Sequence, residues 1–481
     1  MKIFSFKSNN KIQKISIRII IKIIIVFFII LPIKPASSQI NIIRDAEIES
    51  FLHEISLPII NAAGLDSKAI EFYLVNDETI NAFVTNGQKI FVNSGLITKF
   101  NDPEILIGVL SHEIGHISAG HLAKSFENDK KQQNIAIIGY LMGVAAMIGG
   151  SGEVGQASIL GANNIMNKMQ MKYSRIQEEA ADKLALDYLS KIGVSPYGLL
   201  KLLEYFDSQT NGIKQEIDEY QLSHPISKKR IDFIKNNNNQ NYNKFDNDNK
   251  NNHQSILQNN FRNNINFKMQ LIKAKIEAFQ TNNPQRMLDN QYLFINDKNH
   301  PANDYGNAIL LYRSGKINNS LIIIDKLIKQ YPDNGFFYEM KGEILFYNKD
   351  FNNSAMCYNQ AINKTKKDKN DLIKIAFSNP IIKISNNMSK KDNQLIDIAI
   401  TRLNQAKRNE HQNPILLRNL ALAYKEQQKM NYYFFNIACY FFAIGEIENA
   451  KNNLIKAKNM FQNNTMEYGE IQDLLSQIKK E

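Results

Sequence analysis

The sequence predicts an α+β protein: a mainly helical first domain with a small sheet, followed by an all-α domain of helical repeats. Three observations carry that class. His112-Glu113-Ile114-Gly115-His116 lies inside an apolar stripe of helical period. Ile80–Val84 and Lys89–Asn93 alternate on either side of Asn86-Gly87, which reads as a β-hairpin. Beyond residue 300, small and apolar residues return every 34 positions.

Residues 1–38 come first and read as an export signal. Lys2, Lys7, Lys11, Lys14, Arg18 and Lys22 precede the apolar run Ile23–Leu31, and Pro32, Pro35 and Ala36-Ser37-Ser38 follow it, with cleavage expected before Gln39. The run is short for a membrane span, so a cleaved signal is expected in place of an anchor. The absence of a Cys at the cleavage site argues against a lipoprotein. This segment also dominates the charge: its seven basic and no acidic residues reduce the formal +11 to +4 once it is removed. A pI near 9.2 would suggest a nucleic-acid partner; the correction removes that support, and no nucleic-acid partner is expected.

At 481 residues two or more domains are expected. The first, residues 39–235, opens with a helix over Ile43–Ala63 and a strand over Ala69–Leu74, and continues into the hairpin. Asp102 as N-cap and Pro103 at the first helical position start the next helix. Ile105, Leu106, Val109 and Leu110 form its buried stripe. His112 and His116, four residues apart, project from one face and can share a zinc ion. Glu113 between them is placed as general base for a water molecule. The pattern points to metal-assisted peptide hydrolysis.

The third ligand sets the subclass. A third His six residues after His116 would complete one known pattern, but Leu122 stands there. His121 lies five residues after His116, about 140° around the helix, and so is expected to point away into a polar or packing contact. Tyr173–Asp182 offers the alternative. Glu178 and Asp182 share a helix face, with small Ala181 permitting close approach of a neighbouring helix. Glu178 reads as the ligand and Asp182 as the carboxylate that orients a zinc-bound His through its other ring nitrogen. Glu179 faces solvent.

Taken together, His112, Glu113, His116 and His121, then Ser174, Arg175, Glu178, Ala181 and Asp182, then Ser223-His224-Pro225 with Arg230 resemble the Ste-type zinc metallopeptidases, and within them the periplasmic BepA-like branch. The resemblance covers most of residues 40–235 and, more loosely, the C-terminal half. It implies a gluzincin-type metalloprotease domain with one zinc ion per chain held by His112, His116 and Glu178, and Glu113 as base. It also implies that His224 approaches the metal and holds the enzyme latent. The other reading of His224 is a loop or helix-start residue beside a proline. His224 or Arg230 is expected to stabilise the oxyanion or gate the fourth coordination position. Asn81, Ala82, Phe83 and Val84 are proposed as a substrate-aligning edge strand, since an extended chain can pair with a free edge; an ordinary half-buried hairpin is the alternative.

Ile135–Gly161 is apolar and glycine-punctuated. It suits a mobile lid whose Leu141, Met142 and Met147 touch unfolded substrate or a membrane surface, or else a buried helical hairpin. Residues 236–264 are Asn-rich and aperiodic and read as a flexible linker. In the second domain, residues 265–481, Ala308, Ser320, Ile324 and Leu327 recur as Gly342, Ser354, Tyr358 and Ala361. Ala438, Phe441, Gly445, Ala450, Leu454 and Ala457 repeat the template. This is the tetratricopeptide signature, and such a superhelix offers a concave surface for peptides or proteins. Cys357 and Cys439 form no metal or redox motif and read as buried small hydrophobes, or as a disulfide only where the fold brings them together.

The expected function is an exported, periplasmic zinc endopeptidase. As the resemblance implies, its substrates are misfolded or stalled outer-membrane proteins and its partners the barrel-insertion machinery. The rival is an assembly chaperone or adaptor with a latent or structural zinc site; the intact Glu113 separates them, since a structural site needs no base. A polytopic prenyl-protein protease would need long apolar spans, which the sequence lacks.

Overall fold

The computed structural model describes residues 42–85, 88–121, 173–210, 220, 223–237, 253–387 and 393–478. The expected signal segment, the Asn86-Gly87 turn and the Ile135–Gly161 segment lie outside them. Over the described residues the fold is α+β, as the sequence predicts: helices on a small sheet, then helical hairpins, with the described residues from Ile42 onward in one compact unit. No described helix is long and apolar enough to cross a membrane.

The sheet has the order β1 (Ile42–Ile43), β2 (Glu71–Val75), β4 (Lys89–Asn93), β3 (Ala82–Thr85). β3 and β4 pair antiparallel with Phe83 opposite Phe91, and their rings stack at 5.1 Å. β2 pairs parallel with β4. Asn81–Val84 therefore ends on the outer strand of the sheet. Helix α1 (Ala46–Ala62) is capped by the Asp45 side chain, which accepts from Ile48 N at 3.0 Å, and buries Phe51, Leu52, Ile55 and Ile59 at helical spacing.

Helix α2 (Pro103–Ser118) starts as its residues require: the Asp102 carboxylate accepts from Glu104 N at 3.0 Å, with Pro103 at the first position. Helix α3 (Arg175–Lys191) opens with a reciprocal Ser174/Gln177 capping box. α2 packs on α3 and on α4 (Tyr197–Thr210). Two glycines permit these contacts: a Cβ on Gly115 would come 2.8 Å from Ala181 O, and one on Gly198 would come 2.1 Å from Glu104 O.

The expected flexible linker over 236–264 needs correction. Helix α5 spans His253–Gln280, so the linker's last part is helical. Asn is a neutral helix residue, not a breaker, and burial further along supplies the stability. Ile265, Met269, Ile272 and Ile276 of α5 join the core of the first domain, while Leu271, Ala274 and Ala278 join that of the first repeats. α5 is thus a shared wall between the two halves.

The repeats follow as hairpins α6 (Pro301–Arg313) with α7 (Ile317–Gln330), and α8 (Gly335–Tyr347) with α9 (Phe351–Lys364). The 34-residue recurrence has a physical counterpart: Ser320 Oγ donates to Ala308 O at 2.7 Å, and Ser354 Oγ donates to Gly342 O at 2.7 Å. α10 (Asp371–Asn387), α11 (Asn393–Lys407), α12 (Pro414–Glu426), α13 (Met430–Ala443), α14 (Ile447–Lys458) and α15 (Met466–Ile478) complete the stack. Cys357 and Cys439 are free, so they form no disulfide, and both are half-buried where burial was expected.

Charges at the junction lock the halves together. Lys275 Nζ on α5 lies 2.7 Å from Asp45 Oδ2 and 3.1 Å from Glu47 Oε2, and Tyr305 OH donates to Glu47 Oε2 at 2.9 Å. Arg44 bridges Glu49 at 2.7 Å and Glu410 at 2.6 Å.

Candidate metal centre

The amphipathic pattern of α2 places His112 and His116 one turn apart, and the Gly115–Ala181 contact brings α3 against them. His112, Glu113, His116, Glu178, Asp182 and His224 are all fully buried, and Arg230 is nearly so. Four side chains converge: the donor atoms of His112, His116, Glu178 and His224 lie within 4.8 Å of one another. His116 Nε2 is 3.1 Å from His112 Nε2, and Glu178 Oε1 is 3.3 Å from His116 Nε2. His112 Nε2 is 3.5 Å from Glu178 Oε2. His224 Nδ1 stands 3.4 Å from His112 Nε2 and 3.1 Å from Glu178 Oε1.

These separations test the site against zinc. A tetrahedral ion with bonds of about 2.0–2.1 Å has donor–donor edges of roughly 3.3–3.4 Å. With Glu178 Oε1 as the carboxylate donor, four separations run from 3.1 to 3.4 Å, close to that value, all four donors lie within 4.8 Å, and three imidazoles with a carboxylate form a donor set suited to zinc. The site fits the ion.

A second layer holds the donors. Asp182 Oδ1 lies 2.9 Å from His112 Nδ1, on the ring edge away from the other donors. Arg230 grips Asp182 through Nε at 2.6 Å and Nη2 at 2.9 Å, reaches Glu178 Oε2 through Nη1 at 2.6 Å and donates to Pro225 O. Its donors are turned to these carboxylates. Glu179 points outward to Lys229.

His121 stays outside the donor cluster and makes a polar contact, as expected, but reaches it by another route. The 140° estimate assumed that the helix continues, whereas α2 ends at Ser118 and Gly120 adopts φ +65°. The chain reverses there, with His121 N bonding His116 O at 3.2 Å, as in a Schellman-type ending. His121 Nδ1 consequently sits 2.9 Å from His116 Nδ1, where it can fix that ring's tautomer. Gly120 was the available signal. Tyr173 stacks on the His116 ring at 3.7 Å and Tyr220 on the His224 ring at 4.7 Å, aromatic supports not assigned from sequence.

The electrostatics call for a cation. Burial opposes charge on His112, but Glu178 and Asp182 prevail and push its pKa up to about 10. Burial likewise opposes the Glu178 carboxylate, yet His224 and His112 hold it far below the usual range. Asp182, despite burial, is held down by Arg230 and His112. Burial pushes Glu113 up and His116 down. Among the described residues neither Glu113 oxygen has a hydrogen-bond partner; His224 Nε2 stands 3.5 Å from Oε1. A buried carboxylate beside the donor cluster with free lone pairs is equipped to take a proton.

Comparisons with known proteins agree with this chemistry. Residues 44–238 match the sequence model of "Peptidase family M48". The "Beta-barrel assembly-enhancing protease" of Escherichia coli (strain K12) is 24% identical over 199 residues, 41% of this chain and 40% of that protein. Its Yersinia pestis namesake is 22% identical over 303 residues, 63% of this chain and 59% of that protein. "Metalloprotease YcaL" of Escherichia coli (strain K12) is 30% identical over 163 residues, 34% of this chain and 59% of that protein. The chain thus spans about two fifths of the first relative's length.

Proposed function

We propose, from the match of residues 44–238 to the model of peptidase family M48, that the chain is a zinc metalloendopeptidase that cleaves misfolded or stalled envelope polypeptides. The buried His112–His116–Glu178 donor set with Glu113 beside it carries the reading. His112, His116 and Glu178 would hold the ion; when bound, zinc supplies a Lewis acid for the scissile carbonyl and for water. Glu113 takes the proton from the attacking water and delivers it to the leaving amine. Asp182 and His121 orient the two α2 imidazoles, and Arg230 positions Glu178 and Asp182. β3 offers its outer edge, Asn81–Val84, for an extended substrate.

The relatives' name, beta-barrel assembly-enhancing protease, supports outer-membrane β-barrel proteins as substrates and the barrel-insertion machinery as partner. The signal-like residues 1–38 support a periplasmic location. The helical hairpins, read as tetratricopeptide repeats, would recruit either class. Chelation should abolish cleavage of an unfolded outer-membrane protein, and added zinc should restore it. Cleavage indifferent to chelator would overturn the proposal.

His224 Nδ1 stands where a fourth donor belongs, which favours a latent state of this enzyme. His224→Ala should then raise turnover, by about tenfold if the native site is open on the order of a tenth of the time. At equal zinc content, an unchanged rate would leave His224 as scaffold and a lower one as a transition-state stabiliser.

A further inference from the structure

Five aromatic rings form one chain of contacts through the donor cluster. Phe206 on α4 stacks on Tyr220 with centroids 5.1 Å apart and planes 6° from parallel. Tyr220 stacks in turn on His224 at 4.7 Å and 25°. Tyr173 meets the same imidazole at 5.3 Å and 34°, and lies on His116 at 3.7 Å and 19°. Phe206, Tyr220 and Tyr173 are all buried, and the first two belong to the core of the first domain. The backbone ties these rings to the His224 turn: His224 N donates to Tyr220 O at 2.7 Å, and Tyr173 N to Ser223 O at 3.1 Å.

His224 is held differently from the other two imidazoles. His112 has Asp182 at its outer nitrogen and His116 has His121, each an anchor outside the donor cluster. Nε2 of His224 has no hydrogen-bond partner among the described residues and only faces Glu113 Oε1 across 3.5 Å. Nδ1, its other nitrogen, is spent on the cluster itself. The tyrosine rings therefore do for His224 what outer polar partners do for His112 and His116. Ring contacts are weaker and less directional than a charged hydrogen bond such as that of Asp182. Of the three imidazoles, His224 is the one that can leave while the other donors stay in place.

We propose that Tyr220 and Tyr173 are positioning residues that set how long His224 stays in the fourth donor place, with Phe206 anchoring Tyr220 to α4. The inference deepens, and rests on, the reading of His224 as the residue that keeps the peptidase latent. It names what holds that residue in: aromatic stacking from the core side, in addition to the donor cluster. Removing the Tyr220 ring face shifts the balance toward the open site without touching a donor or the base.

Tyr220→Leu and Tyr220→Phe in the zinc-loaded full chain test this through two readouts. One is kcat/KM on an unfolded outer-membrane protein; the other is the rate of zinc transfer to a chromogenic chelator. Tyr220→Leu should raise both by about threefold to tenfold, the factor by which losing one aromatic pair shifts a closed–open balance. Tyr220→Phe, which keeps the ring and loses only the hydroxyl, should match wild type. Damage to the fold alone would lower kcat/KM, so a gain rescued by phenylalanine is the signature of a clamp. In the His224→Ala background Tyr220→Leu should add nothing to kcat/KM, because ring and imidazole act as one unit. If Tyr220→Leu does not fold, Phe206→Leu takes its place, with the same sign and a smaller factor. A lower kcat/KM in Tyr220→Leu overturns the proposal, as does unchanged zinc transfer, or a gain that survives undiminished beside His224→Ala. A wild-type chain that does not cleave, beside faster zinc transfer in Tyr220→Leu, would sink the peptidase reading alone.

Discussion

Glu113→Gln should lower the cleavage of an unfolded outer-membrane protein by about a thousandfold while leaving zinc content and melting behaviour close to wild type. The amide has the size of the carboxylate and removes only the capacity to accept a proton. Neither Glu113 oxygen is hydrogen-bonded among the described residues, so the substitution breaks no described hydrogen bond and alters only the 3.5 Å approach of His224 Nε2. Glu113 also lies outside the tetrahedral edges formed by His112, His116, Glu178 and His224. A catalytic loss at constant metal content is therefore the signature of a base. Parallel zinc analysis and cleavage assays on wild type and variant decide the matter. Equal rates would leave the chaperone reading standing, since a structural zinc site has no use for that carboxylate.

The centre was largely legible because its members are locally encoded. His112, Glu113 and His116 fall on one helix, Glu178 and Asp182 on another, and the 3.6-residue period alone orders each group. What joins the groups was less visible. Arg230 meets Asp182 across 48 residues, and no local period announces that contact. His121 makes the polar contact expected of it, yet its partner His116 was not legible, because the helix stops at Gly120 and the helical angle does not carry beyond it. β1 is two residues long, too short for alternation to show, and the parallel β2–β4 pairing has no sequence signal of its own. The Asn-rich approach to α5 read as linker on composition, whereas apolar residues from Ile265 onward draw the helix into two cores at once. Glu47 and Lys275 sit on helices whose periods say nothing of a partner for either charge. Tertiary packing turned both inward.

Removal of that inward lysine should have the largest effect on stability. Lys275→Met keeps the apolar stem and deletes the charge that faces Asp45 and Glu47, and leaving buried carboxylates unpaired costs about 3–5 kcal/mol. Urea denaturation of the zinc-loaded chain measures it, and Lys275→Met with Glu47→Gln should recover part of the loss, because the second change removes one stranded charge. The sign of the pH dependence follows from the same cluster. Burial raises Glu47 despite Lys275, and pushes Glu49 to about 7 and Glu339 to about 8. Acids whose folded pKa lies above the unfolded value stabilise fully below the unfolded value, near 4.5, and lose that contribution as pH rises through the folded one. Glu410, held low chiefly by Arg44 against its burial, acts oppositely, its contribution disappearing only as pH falls. Wild-type stability should accordingly decline between pH 5 and pH 8, and more steeply in Lys275→Met, where the lysine no longer restrains the carboxylates. A loss below about 1 kcal/mol, the range of an exposed pair, would show that the junction is solvated and does not lock the repeats to the peptidase core.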